Sequence, residues 1–312
     1  MNAAATARPA LADLVRTLRP SQWTKNFVVP AALFFALGDP AQPVTLSAGP
    51  VLHVLAAALL FCVVSSGIYV FNDLRDVVQD RLHPLKRLRP IAAGRVSPQV
   101  GWTLAALLLA AGLTGALLVS LRLVLVLGVY AVLQVIYTLW LKQVALLDVL
   151  LIASGFVLRA LAGAVVADVY ISPWLLICAF LLALFLALCK RRHEKITLED
   201  AAENHRAALE HYDQRLLDQL IAIVSAATLV CYAIYTLWPE TVDKFGTHAL
   251  SLTIPFVLFG LFRYLDLVYR HEQGGHPERT LLTDWPLLVN LALYGVCVLV
   301  IFALTRPQRV LP

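Results

Sequence analysis

Charge is what this chain has least of: 14% of its 312 residues are Asp, Glu, Lys or Arg, while 60% are hydrophobic. With a mean hydropathy of +0.77, the apolar surface exceeds what a water-soluble domain can bury, which leaves a polytopic membrane protein. Cysteine is sparse and unpatterned. Cys62, Cys178, Cys189, Cys231 and Cys297 lie within or at the ends of apolar runs, and none forms a C-x-x-C spacing. Neither a disulfide framework nor a cysteine metal site is expected, and the thiols read as small apolar filler. A signal-peptide layout is also missing, because the first strongly apolar run begins only after Asn26 and ends without a cleavage site. The net charge of +5 gives no reason to expect a nucleic-acid partner, and membrane topology accounts for the basic residues better.

What is abundant is long apolar runs. A span needs about 20 apolar residues, and windows of that kind fall at roughly 27–46, 51–71, 101–119, 121–140, 145–167, 173–190, 218–238, 249–269 and 285–305. The fold expected is all-α, one membrane domain over 1–312 with nine transmembrane helices and helical cytoplasmic loops. With the N-terminus inside, 20 of the 25 Lys and Arg fall on the cytoplasmic side, four fall outside, and Arg159 lies within a span. That asymmetry predicts a cytoplasmic N-terminus and an outside C-terminus in the inner membrane. Leu11, Leu14, Val15 and Leu18 recur at helical spacing with Arg16 and Arg19 between them. Residues 1–26 are thus expected as an amphipathic lead-in, lying in the interface or starting the first span.

The few charges are concentrated. Asn72-Asp73-Leu74-Arg75-Asp76-Val77-Val78-Gln79-Asp80 directly follows the second window. At about 100° per residue, Asp73, Asp76 and Asp80 share an arc of roughly 60°, with Asn72 beside them. Carboxylates at a span end are costly unless they meet a polar cavity, a metal or a partner charge. Oxygen ligands on one face suit Mg²⁺, which is held by a few carboxylates plus substrate phosphates. Asn72, Asp73, Asp76 and Asp80 are therefore the candidate metal ligands. The bland alternative is a solvated helix end paired with Arg75 and Arg81. The following loop, Arg81 to Arg95, is made irregular by Pro84 and Pro90 and carries Lys86, Arg87 and Arg89, which suit phosphate oxygens or serve as topological anchors.

The pattern Asn72-x-x-x-Asp76-x-x-x-Asp80, then Arg81-x-His83-Pro84-x-Lys86-Arg87-x-Arg89-Pro90-Ile91-x-x-Gly94, resembles the first signature of the UbiA superfamily of membrane prenyltransferases. The resemblance implies a nine-helix, cytoplasm-facing enzyme that uses Mg²⁺ to hold a diphosphate. The second Asp-rich motif of that superfamily is absent. Lys190-Arg191-Arg192-His193-Glu194 stands after the sixth window instead. That segment, Arg19-Pro20-x-Gln22-Trp23-x-Lys25-Asn26 and Gly155-Phe156-Val157-Leu158-Arg159-Ala160-x-Ala162-Gly163 are similar to the decaprenyl-phosphate phosphoribosyltransferase branch. The branch implies transfer of 5-phosphoribose from phosphoribosyl diphosphate to a polyprenyl phosphate. Lys25, Lys86, Arg89, Arg159, Lys190, Arg191 and Glu194 then join Asn72 as candidate substrate-binding residues, and Asp73, Asp76 and Asp80 as catalytic ones.

Alternatives stay open at this point. Arg159, inside a span, either pairs with an acid on a neighbouring helix or binds a phosphate in a cavity; Asp148 on the same helix is roughly 16 Å away along the axis. Lys25 is a phosphate ligand or a snorkelling anchor. Tyr212, Glu278 and Asp284 read as solvated surface, and His53 and His248 as far-side residues. Rival functions are an aromatic or quinone-pathway prenyltransferase of the same superfamily and a lipid-phosphate transporter, and a homo-oligomer is left open.

Overall fold

The computed structural model describes residues 10–31, 33, 48–199, 212–271, 273–275 and 277–305. Every regular element among them is helical. The helices are α1 (Leu11–Thr17), α2 (Ala48–Arg75), α3 (Val77–Leu82), α4 (Pro98–Val119), α5 (Leu121–Leu139), α6 (Leu147–Ala167), α7 (Pro173–Glu199), α8 (Gln214–Leu237), α9 (Pro239–Phe245), α10 (Ile254–Arg270), α11 (Pro277–Thr283) and α12 (Trp285–Thr305), with short 3-10 segments between some of them. Eight are long and apolar enough to cross a membrane: α2, α4, α5, α6, α7, α8, α10 with the preceding turn, and α12. They match the second to ninth apolar windows. Most of the first window, 27–46, lies outside the described residues.

Local chemistry sets the boundaries. Ser97 caps α4 by accepting from the Val100 N–H, with Pro98 in the first turn. Ser120 ends α4 and caps α5 through the Leu123 N–H, so the two helices form a one-residue hairpin and run antiparallel. α4 then lies close against α2 because Gly101, Gly112 and Gly115 face it. A Cβ at those positions would sit 2.8, 2.4 and 2.6 Å from Leu74, Val64 and Leu60, so the small residues admit the approach. One buried cluster joins α2, α4, α5 and α6 around Phe61, Leu127 and Tyr130. A second joins α6, α7, α8, α10 and α12 around Phe185, Leu217 and Tyr264. α6 belongs to both and ties the halves together. Large apolar side chains such as Leu118 and Leu304 point outward, 90% and 80% exposed, as a lipid-facing surface permits.

The segment after α1 departs from expectation. Residues Pro20–Val28 form a 3-10 strap that runs antiparallel to α2 and enters the bundle. Arg19 meets Asp73, Trp23 Nε1 donates to Ser66 Oγ at 3.0 Å, and Asn26 Nδ2 donates to Cys62 Sγ at 3.0 Å. Seven 3-10 residues advance about 14 Å, close to the roughly 16 Å that eleven residues span on α2, which explains the steady register. The strap reaches α6 at Gly163, where an added Cβ would lie 1.8 Å from the Val29 carbonyl oxygen. The quoted Arg19–Asn26 and Gly155–Gly163 motifs are thus two sides of one packing contact.

Candidate active site

One end of the bundle gathers the charge. α2 stops at Arg75 and α3 begins at Val77, with Asp76 at the break (φ −97°, ψ 9°). The Asp76 N–H still donates to Asn72 O at 3.0 Å, and the Asp80 N–H to Asp76 O at 2.7 Å. The helical hydrogen-bond register therefore survives the break. Asp73 and Asp80 are buried, and Asp76 and Asn72 are half-buried.

Each acid is matched by a cation from elsewhere in the chain. Arg19 pairs with Asp73 Oδ1 and Lys142 with Asp76 Oδ1. Arg89 Nη1 bridges two acids, 3.1 Å from Asp73 Oδ1 and 2.6 Å from Asp80 Oδ2. The local alternative, pairing with Arg75 and Arg81, is not what forms: Arg81 instead donates to Ala92 O at 3.0 Å and stays the loop. Three acids facing three cations satisfy one another where bare carboxylates would be costly. Sequence reasoning singled out Arg89 but did not place Arg19 or Lys142 in the site. Arg19 stood in a quoted motif, and Lys142 is the lone basic residue of its loop.

The donor set bears on a metal ion. It is all oxygen, as Mg²⁺ prefers, and Arg89 Nη1 already puts positive charge between Asp73 and Asp80. Among the described residues no three His, Cys, Asp or Glu are gathered closely enough to hold an ion by themselves. Mg²⁺ does not need such a cage, since it usually takes one or two carboxylates and completes its shell with water and substrate phosphate. The residues present fit a metal–diphosphate pair better than a lone ion.

The other expected ligands divide by location. Lys86, in the 3-10 turn Lys86–Leu88, and Lys190, on α7, are half-buried at the charged end. Lys25 is half-buried in the strap. Arg191 is 2% exposed. It donates to Asp148 Oδ2 on α6 at 2.7 Å and pairs with Glu194 one turn on. Asp148 also accepts from the Tyr212 hydroxyl at 2.7 Å, and that hydroxyl accepts from the Leu146 N–H at 2.7 Å. Tyr212 is therefore buried, not solvated surface, and its own burial with the Asp148 contact pushes its phenol above the usual range. Nothing in sequence links it to Asp148, 64 residues away. Arg192 pairs with Asp218 at 2.6 Å and stacks over Tyr269.

Asp284 is also not simple surface. It receives Arg263 through two nitrogens, at 3.2 and 2.8 Å, and accepts from the Leu287 N–H at 3.0 Å. The Arg263 hydrogen bonds hold its carboxyl below the usual carboxylate range. The Glu278 side chain lies outside the described residues.

Arg159 does not pair with an acid on a neighbouring helix. Its three nitrogens donate to Asn26 Oδ1 (2.8 Å), Gly155 O (2.8 Å) and the Tyr130 hydroxyl (3.2 Å). Phe61, Tyr130 and Phe156 surround the guanidinium with ring centroids 4.9–5.4 Å away. Neutral acceptors and aromatic faces replace the missing carboxylate. The residue clamps the strap to α5 and α6, about 16 Å below the charged end by helical rise.

Four chain segments close this end. Besides the Asp76–Lys142 pair and the Asp148–Tyr212 bond, α7 lies against the turn Gln273–Gly275, where a Cβ on Gly275 would fall 2.5 Å from the His193 ring. His83 stands at the C-terminal end of α3, where its Nδ1 accepts from the Leu85 and Lys86 N–H groups at 3.2 and 3.3 Å.

Residues 27–281 match the UbiA prenyltransferase family. The decaprenyl-phosphate phosphoribosyltransferase of Mycolicibacterium smegmatis is 37% identical over 284 residues, covering 88% of this chain and 87% of that protein. The protein of the same name from Corynebacterium glutamicum is 34% identical over 293 residues, covering 92% and 86%. Among solved structures, a UbiA homologue from Archaeoglobus fulgidus bound to GPP and Mg²⁺ superposes with a TM-score of 0.69 at 20% identity, over 93% of this chain and 99% of that one. At that identity the likeness speaks for the architecture.

Proposed function

This chain belongs to the UbiA prenyltransferase family, and on that premise we propose that it transfers 5-phosphoribose from 5-phosphoribosyl 1-diphosphate to a polyprenyl phosphate, releasing diphosphate. The observation that carries the reading is the meeting of opposite charges at one bundle end. Asp73, Asp76 and Asp80 face Arg19, Arg89 and Lys142, with Lys86 and Lys190 on adjoining segments. Two phosphorylated substrates need both signs, cations for the phosphates and carboxylates for a metal. The names of the near-full-length relatives point the same way.

In this reading Asp73, Asp76 and Asp80, with Asn72 beside them, would offer one or two carboxylates to a divalent ion such as Mg²⁺, which with the substrate phosphates would supply charge neutralisation for the departing diphosphate. Lys86, Arg89 and Lys190 bind and orient phosphate oxygens, with Lys25 at the strap. The acceptor is a phosphate monoester with a second pKa of about 6, so it is anionic at neutral pH and needs no strong base from the chain. Carboxylates near the ring stabilise the positive charge that grows as the leaving group departs. Attack opposite that group inverts the anomeric carbon. The polyprenyl tail stays in the bilayer beside the apolar outer face, and the site opens to the cytoplasm, a reading that the basic-residue asymmetry supports.

The test is direct. Detergent-solubilised protein supplied with phosphoribosyl diphosphate, Mg²⁺ and a polyprenyl phosphate yields a phosphoribosyl lipid and one equivalent of diphosphate. No lipid product, together with turnover of a prenyl diphosphate and an aromatic acid, overturns the assignment in favour of an aromatic prenyltransferase. Lipid movement across vesicles without diphosphate release overturns it in favour of a transporter.

A further inference from the structure

The short helix that carries the last signature acid has a second face, which stays uncovered among the described residues. α3 turns Asp80 inward onto Arg89. Val78 and Leu82 stand two residues before and after Asp80, about 200° around the helix, and point away from the bundle. They are 63% and 60% exposed, and Leu85 and Leu88 in the following turns are 73% and 64% exposed. The charges that interrupt this apolar row are of one sign. Between Asp73 and Gly94 the exposed charged residues are Arg75, Arg81 and Arg87, because Asp76 is drawn onto Lys142 and Asp80 onto Arg89.

Depth in the membrane follows from helix length. The span that leads into α3, Gly49–Arg75, has 27 residues and is therefore about 40 Å long. The hydrocarbon core is about 30 Å thick, and about 40–45 Å with both headgroup layers. Arg75 thus reaches headgroup level, and α3 starts just beyond it at Val77. α1 borders the same surface, and one guanidinium joins the two. Arg95 Nε donates to Asp13 Oδ1 of α1 at 2.9 Å, and Arg95 Nη2 donates to Leu88 O at 2.8 Å. α1 packs Leu14 on the cluster that holds Ile91 and leaves Leu11 76% exposed.

We propose that the outer face of α3 and the turns through Leu88 form a membrane-surface site for anionic phospholipid headgroups. Val78, Leu82, Leu85 and Leu88 seat at the top of the acyl chains, and Arg75, Arg81 and Arg87 meet the phosphates. Apolar side chains interleaved with arginine suit that layer, because the chains enter below the headgroups while the guanidinium groups stay at phosphate level. A soluble protein partner would have to reach a surface that already lies within the headgroup layer, where lipid fills it first. α3 thus has lipid on one face and the site carboxylates on the other, an arrangement that does not depend on which group the site transfers.

The experiment attaches a thiol-reactive bimane to Leu85→Cys in the full chain, which is then reconstituted in vesicles of phosphatidylcholine and phosphatidylglycerol. Parent protein treated in the same way subtracts the native cysteines. The bimane emits to the blue of its position in water. At equal mole fraction, phosphatidylglycerol with a nitroxide on its acyl chain quenches it more than phosphatidylcholine so labelled. Each basic residue at an anionic leaflet is worth about a fivefold preference, so adding Arg87→Gln lowers the ratio of the two apparent association constants about fivefold. Leu88→Cys gives the same pattern and guards against a local effect of one substitution. Both leucines are exposed, so the melting temperatures stay at the parent value. Water-like emission with no quenching by either lipid overturns the proposal. Blue-shifted emission without quenching also overturns it, in favour of a protein partner or a second copy on this face. Equal quenching by the two lipids, or a ratio that Arg87→Gln leaves unchanged, overturns the anionic site.

Discussion

Replacing Gly163 by alanine tests whether the strap positions the site. The new Cβ would lie 1.8 Å from the Val29 carbonyl oxygen and 2.9 Å from its carbon. Both neighbours are backbone, so the strap must retreat by more than roughly 1 Å to reach ordinary contact. That movement breaks the 2.8 Å bond between Asn26 and Arg159 and loosens the Arg19–Asp73 pair at the other strap end. Overpacking costs about 1–3 kcal/mol, and losing a buried hydrogen bond to a charged group about 1.5–3 kcal/mol. The sum, roughly 2.5–6 kcal/mol, is a large share of a normal folding free energy. Gly128→Ala is the internal control, because nothing lies within 4 Å of a Cβ there. It is expected to be neutral or stabilising by up to about 1 kcal/mol through helix propensity. Thermal melting in detergent, read with the donor KM, separates the two variants: Gly163→Ala melts several degrees lower and has a raised KM, and Gly128→Ala matches the parent. Gly163→Ala melting within a degree of the parent, with unchanged KM, refutes the strap argument.

Three further outcomes are expected. Arg191→Met leaves Asp148 buried without its cation and destabilises by about 3–5 kcal/mol, whereas Lys190→Ala lowers donor affinity with little change in melting; equal melting losses from both would contradict the division between a buried structural arginine and a phosphate ligand. Asp76→Asn keeps the α2–α3 break, whose cap makes no side-chain hydrogen bond, and raises the Mg²⁺ concentration needed for half-maximal turnover; full activity at low Mg²⁺ argues against a ligand role. His83 has a folded pKa below its ordinary 6.5, so the folded protein binds fewer protons than the unfolded chain as pH drops through that region. The stability its neutral ring contributes is complete above about pH 6.5 and is lost as pH falls through the folded value. The melting temperature of the parent should thus fall more between pH 7.5 and 5.5 than that of His83→Asn, and parallel profiles would refute it.

The parts of this protein legible in the sequence are those that local pattern dictates. Hydropathy marked the eight described spans because each helix must meet lipid along its own length. The 72–80 acids and the Arg81–Arg95 loop were visible because they are contiguous. The helical register of Asn72, Asp76 and Asp80 persists in the backbone hydrogen bonds even though the helix breaks at Asp76. Partners were harder. Tyr212 looked like surface because a tyrosine in a polar loop usually is, and only the fold seats it on Asp148. For Arg159, a charge in a membrane span suggests a counter-charge or a bound phosphate. The structure gives it three neutral acceptors and three rings.

By itself, then, the sequence determined the membrane class, the spans and the family signature, all of which follow from composition and short-range order. Only the tertiary structure decided who neutralises whom. Arg19 lies 54 residues from Asp73, Lys142 lies 66 from Asp76, and Arg191 lies 43 from Asp148. A carboxylate needs a partner but does not specify which one. That choice belongs to the packing of α2, α6 and α7 with the strap, which brings distant charges within hydrogen-bond reach.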